Sequence, residues 1–185
     1  MSEPVFVDTN VWTYAVDGAD PARRQRALGV TAPTRDRDIV ISTQVLTEFY
    51  AVITRKLSVP VGAEAAEAMV RELGMLPVVA VDVSLVQAAV AGSRLWQISI
   101  WDALIFRAAE AAACRRILSE DLQDGTTCGS VVVENPFASG GARPAPEFAA
   151  QPPASRSISP TTRSSSAIRS AGAAGFAWNA VTSER

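Results

Sequence analysis

Five short runs in this chain are apolar at every position, and their spacing constrains the fold more than any other feature. Val5-Phe6-Val7, Ile39-Val40-Ile41, Val78-Val79-Ala80-Val81, Ile117-Leu118 and Val131-Val132-Val133 are largely β-branched. That is the composition of strands covered on both faces in a parallel sheet, where a half-exposed strand would alternate. Residues 21–30, 43–57, 62–74, 84–97 and 101–115 carry apolar side chains at helical spacing. Strands alternating with helices predict an α/β fold with a parallel sheet of five strands and right-handed crossovers.

This pattern stops near residue 137 of 185, and the composition changes with it. In residues 138–185, 30 of 48 positions are Ala, Ser, Pro or Gly, too little apolar surface to offset the entropy of ordering the chain. The expectation is a domain over 1–137 and a disordered tail over 138–185, with Phe176 and Trp178 as side chains that could dock. Residues 1–137 hold 17 acids against 12 bases, and the tail holds 2 acids against 5 arginines. An acidic working domain does not present a broad basic footprint for nucleic acid, and it suits a pocket that needs a cation. The N-terminus MSEPVFVDTN lacks a basic n-region and an apolar h-region, no run approaches the ~18 apolar residues of a spanning helix, and Cys114 and Cys128 suggest no disulfide framework. A cytoplasmic protein with no membrane attachment is expected.

The chain contains no histidine. Ser-His-Asp and Cys-His nucleophiles, HExxH zinc sites and imidazole bases are therefore excluded, and catalysis has to run on carboxylates, hydroxyls, Arg, the lone Lys56 or a metal. In an open parallel sheet, ligands gather beyond the carboxyl ends of the strands near the topological switch point, so the acids there are the ones to weigh.

Asp8 follows the first strand directly in VFVDTN and reads equally as a functional carboxylate and as the N-cap of the Trp12 segment. Glu48 lies in STQVLTEFYAVITRKL on the flank of the apolar face formed by Val45, Leu46, Phe49, Tyr50, Val52 and Ile53. Most helical glutamates are simply solvated, but this one is placed to lean into a cleft at the sheet edge. Asp102, in SIWDALIFRAAEAAA, completes a capping box with Ser99, which explains it as well as a site would, and Trp101 and Ile105 beside it are expected to pack. Asp121, in RRILSEDLQDG, follows the fourth strand, and a turn accounts for Asp124-Gly125 better than for Asp121. If the first and fourth strands are neighbours, Asp8 and Asp121 repel, and a divalent cation relieves them.

These residues carry a resemblance. VFVDTNVW, TEFYAVI, WDALIFRAAE and LSEDLQDG, followed by VENPF, occur in the order and spacing of the PIN-domain family, and the chain is most similar in appearance to VapC-type toxins of bacterial toxin–antitoxin pairs. The likeness covers residues 4–137 and leaves the tail unmatched. It implies a PIN-like three-layer α/β/α fold around a central five-stranded, mostly parallel sheet. It also implies a site of acids that carry over as Asp8, Glu48, Asp102 and Asp121, with Thr9 or Asn10 and Ser119 in support.

The implied function is an Mg²⁺- or Mn²⁺-dependent endoribonuclease. Hard oxygen donors select such ions. Asp8, Asp102 and Asp121 are expected to hold the metal and Glu48 to ligate or orient the attacking water. The resemblance further implies an RNA substrate, a homodimer, and a VapB-like antitoxin whose arm crosses the acids. Arg23, Arg24 and Arg26, Arg55-Lys56, and Arg115-Arg116 are basic groups available to phosphates, though such groups are more often a solvated face, and the latter two pairs also answer a helix C-terminal dipole. The competing readings are a catalytically silent PIN-like binding module and a stand-alone PIN nuclease in RNA processing. A haloacid-dehalogenase-type phosphatase expects an acid two residues after Asp8, where Asn10 stands, and a receiver domain expects a lysine after a late strand.

Overall fold

The computed structural model describes residues 3–32, 34 and 37–138. The tail reading concerns residues that, beyond Ala138, lie outside them.

The chain begins with strand β1 (Glu3–Val7), whose Val5, Phe6 and Val7 are all fully buried. Helices α1 (Thr9–Val16) and α2 (Pro21–Thr31) lead to β2 (Arg37–Ser42), and α3 (Thr43–Arg55) and α4 (Ala63–Leu73) lead to β3 (Val78–Val79). Helices α5 (Val83–Trp96) and α6 (Ile100–Ala111) return the chain to β4 (Arg116–Leu118), and β5 (Thr127–Cys128) and β6 (Val131–Glu134) complete the sheet. The strand order is β3-β2-β1-β4-β6-β5, parallel throughout except for the antiparallel β5–β6 pair.

All five expected strands are present, and a sixth, β5, joins them. Its two residues form no apolar run, so nothing in the local sequence marks it as a strand. The run at 78–81 pairs only through Val78 and Val79. This strand is an edge and half-buried, and beyond it the Val81 N–H turns to the Thr43 hydroxyl at 3.0 Å instead of a ladder partner. The expected helix 101–115 ends at Ala111, where Ala113 enters the left-handed region at φ 56°.

The topology determines where a site can be. Right-handed crossovers stepping outward from β1 to β2 and β3 lay α1–α4 on one face, and the return to β4 on the other side of β1 lays α5 and α6 on the opposite face. Helix contacts agree: α1 touches α2 and α3, α3 touches α4, and α5 touches α6. The winding reverses between β1 and β4, whose register pairs Val7 with Leu118. One large core cluster lies beneath that point, with Phe6, Trp12, Phe49 and Phe106 among its fully buried side chains. No helix among the described residues is long and apolar enough to cross a membrane.

Candidate active site

Asp8 and Ser119 are the first residues beyond β1 and β4, and the sheet holds them side by side. The Asp8 N–H donates to Leu118 O at 3.0 Å, and the Ser119 N–H donates to Glu134 O at 3.1 Å, extending the ladder by one residue on each strand. Asp8 is only 4% exposed. Its Oδ1 accepts from the Thr9 N–H at 2.7 Å, so the expected cap at the start of α1 exists. Its Oδ2 accepts from the Ser119 hydroxyl at 2.7 Å and from Asn10 Nδ2 at 3.0 Å. Asn10 Nδ2 also reaches Ser119 Oγ at 3.0 Å, and Asn10 Oδ1 accepts from the Glu120 N–H at 3.2 Å. Asp, Asn and Ser thus form a closed node in which cap and site coincide.

A carboxylate has about four lone-pair positions, and this one uses three. Burial pushes the Asp8 carboxyl up to about 6; the Ser119 and Thr9 hydrogen bonds pull the other way, and the negative charges of Asp121 and Glu48 add to the rise. Near neutrality the group is therefore largely ionised in a place that disfavours its charge.

Glu48 joins this node through Thr9. The Thr9 hydroxyl donates to Glu48 Oε2 at 3.0 Å, and Gln44 Nε2, one helical turn earlier on α3, donates to Oε1 at 3.0 Å. Both carboxylate oxygens are held by neutral donors. Asp121 lies exposed in the loop after β4, near enough for its charge to reach Asp8. Asp102 occupies the first turn of α6, where Ser99 Oγ accepts its N–H at 3.0 Å. No hydrogen bond joins its carboxylate to the Asp8 node among the described residues. Trp101 and Leu104, which bracket Asp102, do line the open cleft that Gln44 and Glu48 line from α3.

Among the described residues, no ion pair involves Asp8, Glu48, Asp102 or Asp121, and no three acids gather closely enough to form a metal-holding group. The all-oxygen donor set, with a buried anion that lacks a cationic partner, fits Mg²⁺ or Mn²⁺. Mg²⁺ keeps several waters and typically uses one or two carboxylates plus substrate phosphate. A closed all-protein cage is therefore not what this ion requires.

Sequence reasoning missed three features. Gln44 carried a usable signal, since it precedes Glu48 by one turn. Arg23 was read as a basic group available to phosphate or as a solvated face, and its guanidinium is engaged at 2.8 Å with Glu120 and at 2.7 Å with the Tyr14 hydroxyl, which itself donates to Glu120. Trp101 was expected to pack beside Ile105. Ile105 is buried, whereas Trp101 is 62% exposed.

The PIN domain family matches residues 5–123, well over half of the chain. Among solved structures, the chain is similar to a toxin–antitoxin complex from Klebsiella pneumoniae, with 15% identity and a TM-score of 0.53 over 72% of this chain and 98% of that one. It is also similar to FitAB bound to an IR36 DNA fragment, with 17% identity and a TM-score of 0.54 over 75% and 99% of the two chains. A third is the VapC20 toxin of Mycobacterium tuberculosis, a sarcin–ricin loop cleaving toxin, with 24% identity and a TM-score of 0.47 over 61% and 86%. At these identities the likeness to the first two is one of fold. A comparison with curated proteins finds no match.

Proposed function

Because the chain belongs to the PIN domain family, we propose that it is a divalent-metal-dependent endoribonuclease acting as the toxin of a VapBC-type toxin–antitoxin pair. The observation that carries this reading is Asp8: a buried carboxylate at the switch point of the sheet, raised by burial and by two neighbouring anions, with no cationic side chain paired to it among the described residues. Such a group is a standing demand for positive charge.

Asp8, Asp102 and Asp121 would hold Mg²⁺ or Mn²⁺. When bound, such an ion polarises a phosphoryl oxygen and lowers the pKa of water. The chain's own contribution is orientation. Ser119 and Asn10 hold Asp8, and Thr9 and Gln44 hold Glu48 by both oxygens, so that Glu48 aligns the attacking water and accepts its proton. With histidine absent, a carboxylate is the base this chain can offer.

In this reading the protein works in the cytoplasm as a homodimer. A small antitoxin silences it by laying a basic arm across the acids, to which the acidic charge of residues 1–137 is complementary. Cleavage of RNA by the purified protein with Mg²⁺ or Mn²⁺, loss of cleavage in EDTA, and mapping of the cut sites test the proposal. Full activity in excess EDTA contradicts it. The absence of a three-acid cluster among the described residues favours a second reading, a catalytically silent PIN-like module, which would show neither cleavage nor a divalent-cation effect on melting. A stand-alone nuclease of RNA processing would cleave as well but would have no antitoxin that silences it.

A further inference from the structure

An open cleft of about 540 Å³ lies between the start of α3 and the start of α6, and Glu48 forms part of its wall. Trp101 and Leu104 line it from α6, Thr43, Gln44 and Thr47 from α3, and Val81 from the segment after β3. The volume is within the ~300–1,000 Å³ of sites that take small ligands. Among the described residues no Lys or Arg lines it, and the one charge on its wall is the Glu48 carboxylate. A phosphate group is therefore disfavoured inside it, and a flat, neutral group is favoured. Trp101 presents the chemistry for such a group: a large indole left 62% exposed, one residue from Asp102. Gln44 gives its Nε2 hydrogen to Glu48 and leaves Oε1 shielded and without a hydrogen-bond partner among the described residues.

We propose that this cleft receives an unpaired nucleobase next to the scissile phosphate, with Trp101 as its stacking platform. The inference rests on the ribonuclease reading and assigns a base-binding residue to it. In a duplex the base faces are covered by their neighbours, and only a splayed base offers a face to an aromatic side chain. The continuity of the cleft with Glu48 sets the stacked base beside the acids, where it orients the bond to be cut. Trp101 is thus a specificity residue on the substrate side of the site.

The test has two arms. In steady-state cleavage of a single-stranded oligoribonucleotide, Trp101→Ala raises KM roughly tenfold or more, as loss of one base–aromatic stack does, with kcat largely retained, and Trp101→Phe restores most of the loss. In metal-free binding, titration with the same oligonucleotide quenches tryptophan emission in the wild type and not in Trp101→Phe, and a matched duplex does not quench. An unchanged KM in Trp101→Ala overturns the inference while leaving the ribonuclease reading intact. Trp101-dependent quenching without any cleavage supports the base site and removes the hydrolase reading. If Trp101→Ala loses activity only because sedimentation shows that a dimer has dissociated, the cleft is a protein interface and the base site is overturned.

Discussion

The Asp8 node and the Trp101 cleft meet at Glu48 and are built in opposite ways. Around Asp8, the groups that donate to it are buried and committed: Thr9, Asn10 and Ser119 hold its oxygens, and adjacent strands hold the backbones of Asp8 and Ser119. Around Trp101, the wall is open and the indole stands in solvent. The difference separates preorganisation from recognition. On the proposed ribonuclease reading, chemistry at a phosphodiester needs fixed charge, and the node sits between two paired central strands. Substrate has to enter and leave, so the cleft sits where two helix starts leave a gap.

The comparison breaks most readily at Asp8. Asp8→Asn removes the anion while keeping the shape, and RNA cleavage falls below detection although circular dichroism remains native. Retained turnover in this variant would move the catalytic centre elsewhere.

Two tryptophans then separate core from cleft. Trp12 is fully buried in the large core cluster, so Trp12→Ala costs about 3–5 kcal/mol in denaturant unfolding. Trp101→Ala changes stability by no more than about 0.5 kcal/mol, as exposed substitutions do. Equal losses would mean that Trp101 packs after all.

The raised carboxyl also makes stability depend on pH. Asp8 is about 6 when folded against 3.8 as its ordinary value, so the folded state binds the proton more tightly than the unfolded chain. Its favourable contribution is complete below pH ~3.8 and is lost as pH rises through ~6, by on the order of 3 kcal/mol. In metal-free buffer, the wild type should lose stability relative to Asp8→Asn over that window, as measured by chemical denaturation. A difference that grows in favour of the wild type would reverse the assigned sign.

Supporting residues should have smaller effects. Ser119→Ala leaves Asp8 with one fewer donor and lowers activity by ~10–100-fold, the usual range for partners that orient a ligand. Gln44→Ala frees one oxygen of Glu48 and lowers kcat by a few-fold, on the scale of a single neutral hydrogen bond. An unaffected rate in both would mean that the node does not need its shell.

Much of this was legible in the residues because it is local. Val5-Phe6-Val7 announces a strand buried on both faces, Asp8-Thr9-Asn10 announces a cap, and Ser99 with Asp102 announces a helix start. The adjacency of β1 and β4, which brings Ser119 to Asp8, required the topology, although the acid after each strand hinted at it. β5 was hidden because Thr127-Cys128 pairs by tertiary position and not by pattern. The exposure of Trp101 was hidden for a related reason. An apolar residue on the first turn of a helix packs only if a neighbour covers it, and the helices over that edge leave a gap. Asp102 is placed by its Ser99 cap, which explains its position without any help from the site.

The central claim is that Asp8 is an anion held ready for a divalent cation, and its most direct measurement is a melting titration at pH 7.5 of the wild type and Asp8→Asn. The account predicts that Mn²⁺ at 100 times its dissociation constant stabilises the wild type by about 2.7 kcal/mol and leaves Asp8→Asn unmoved. A wild type indifferent to the ion, or a variant stabilised to the same degree, would contradict it.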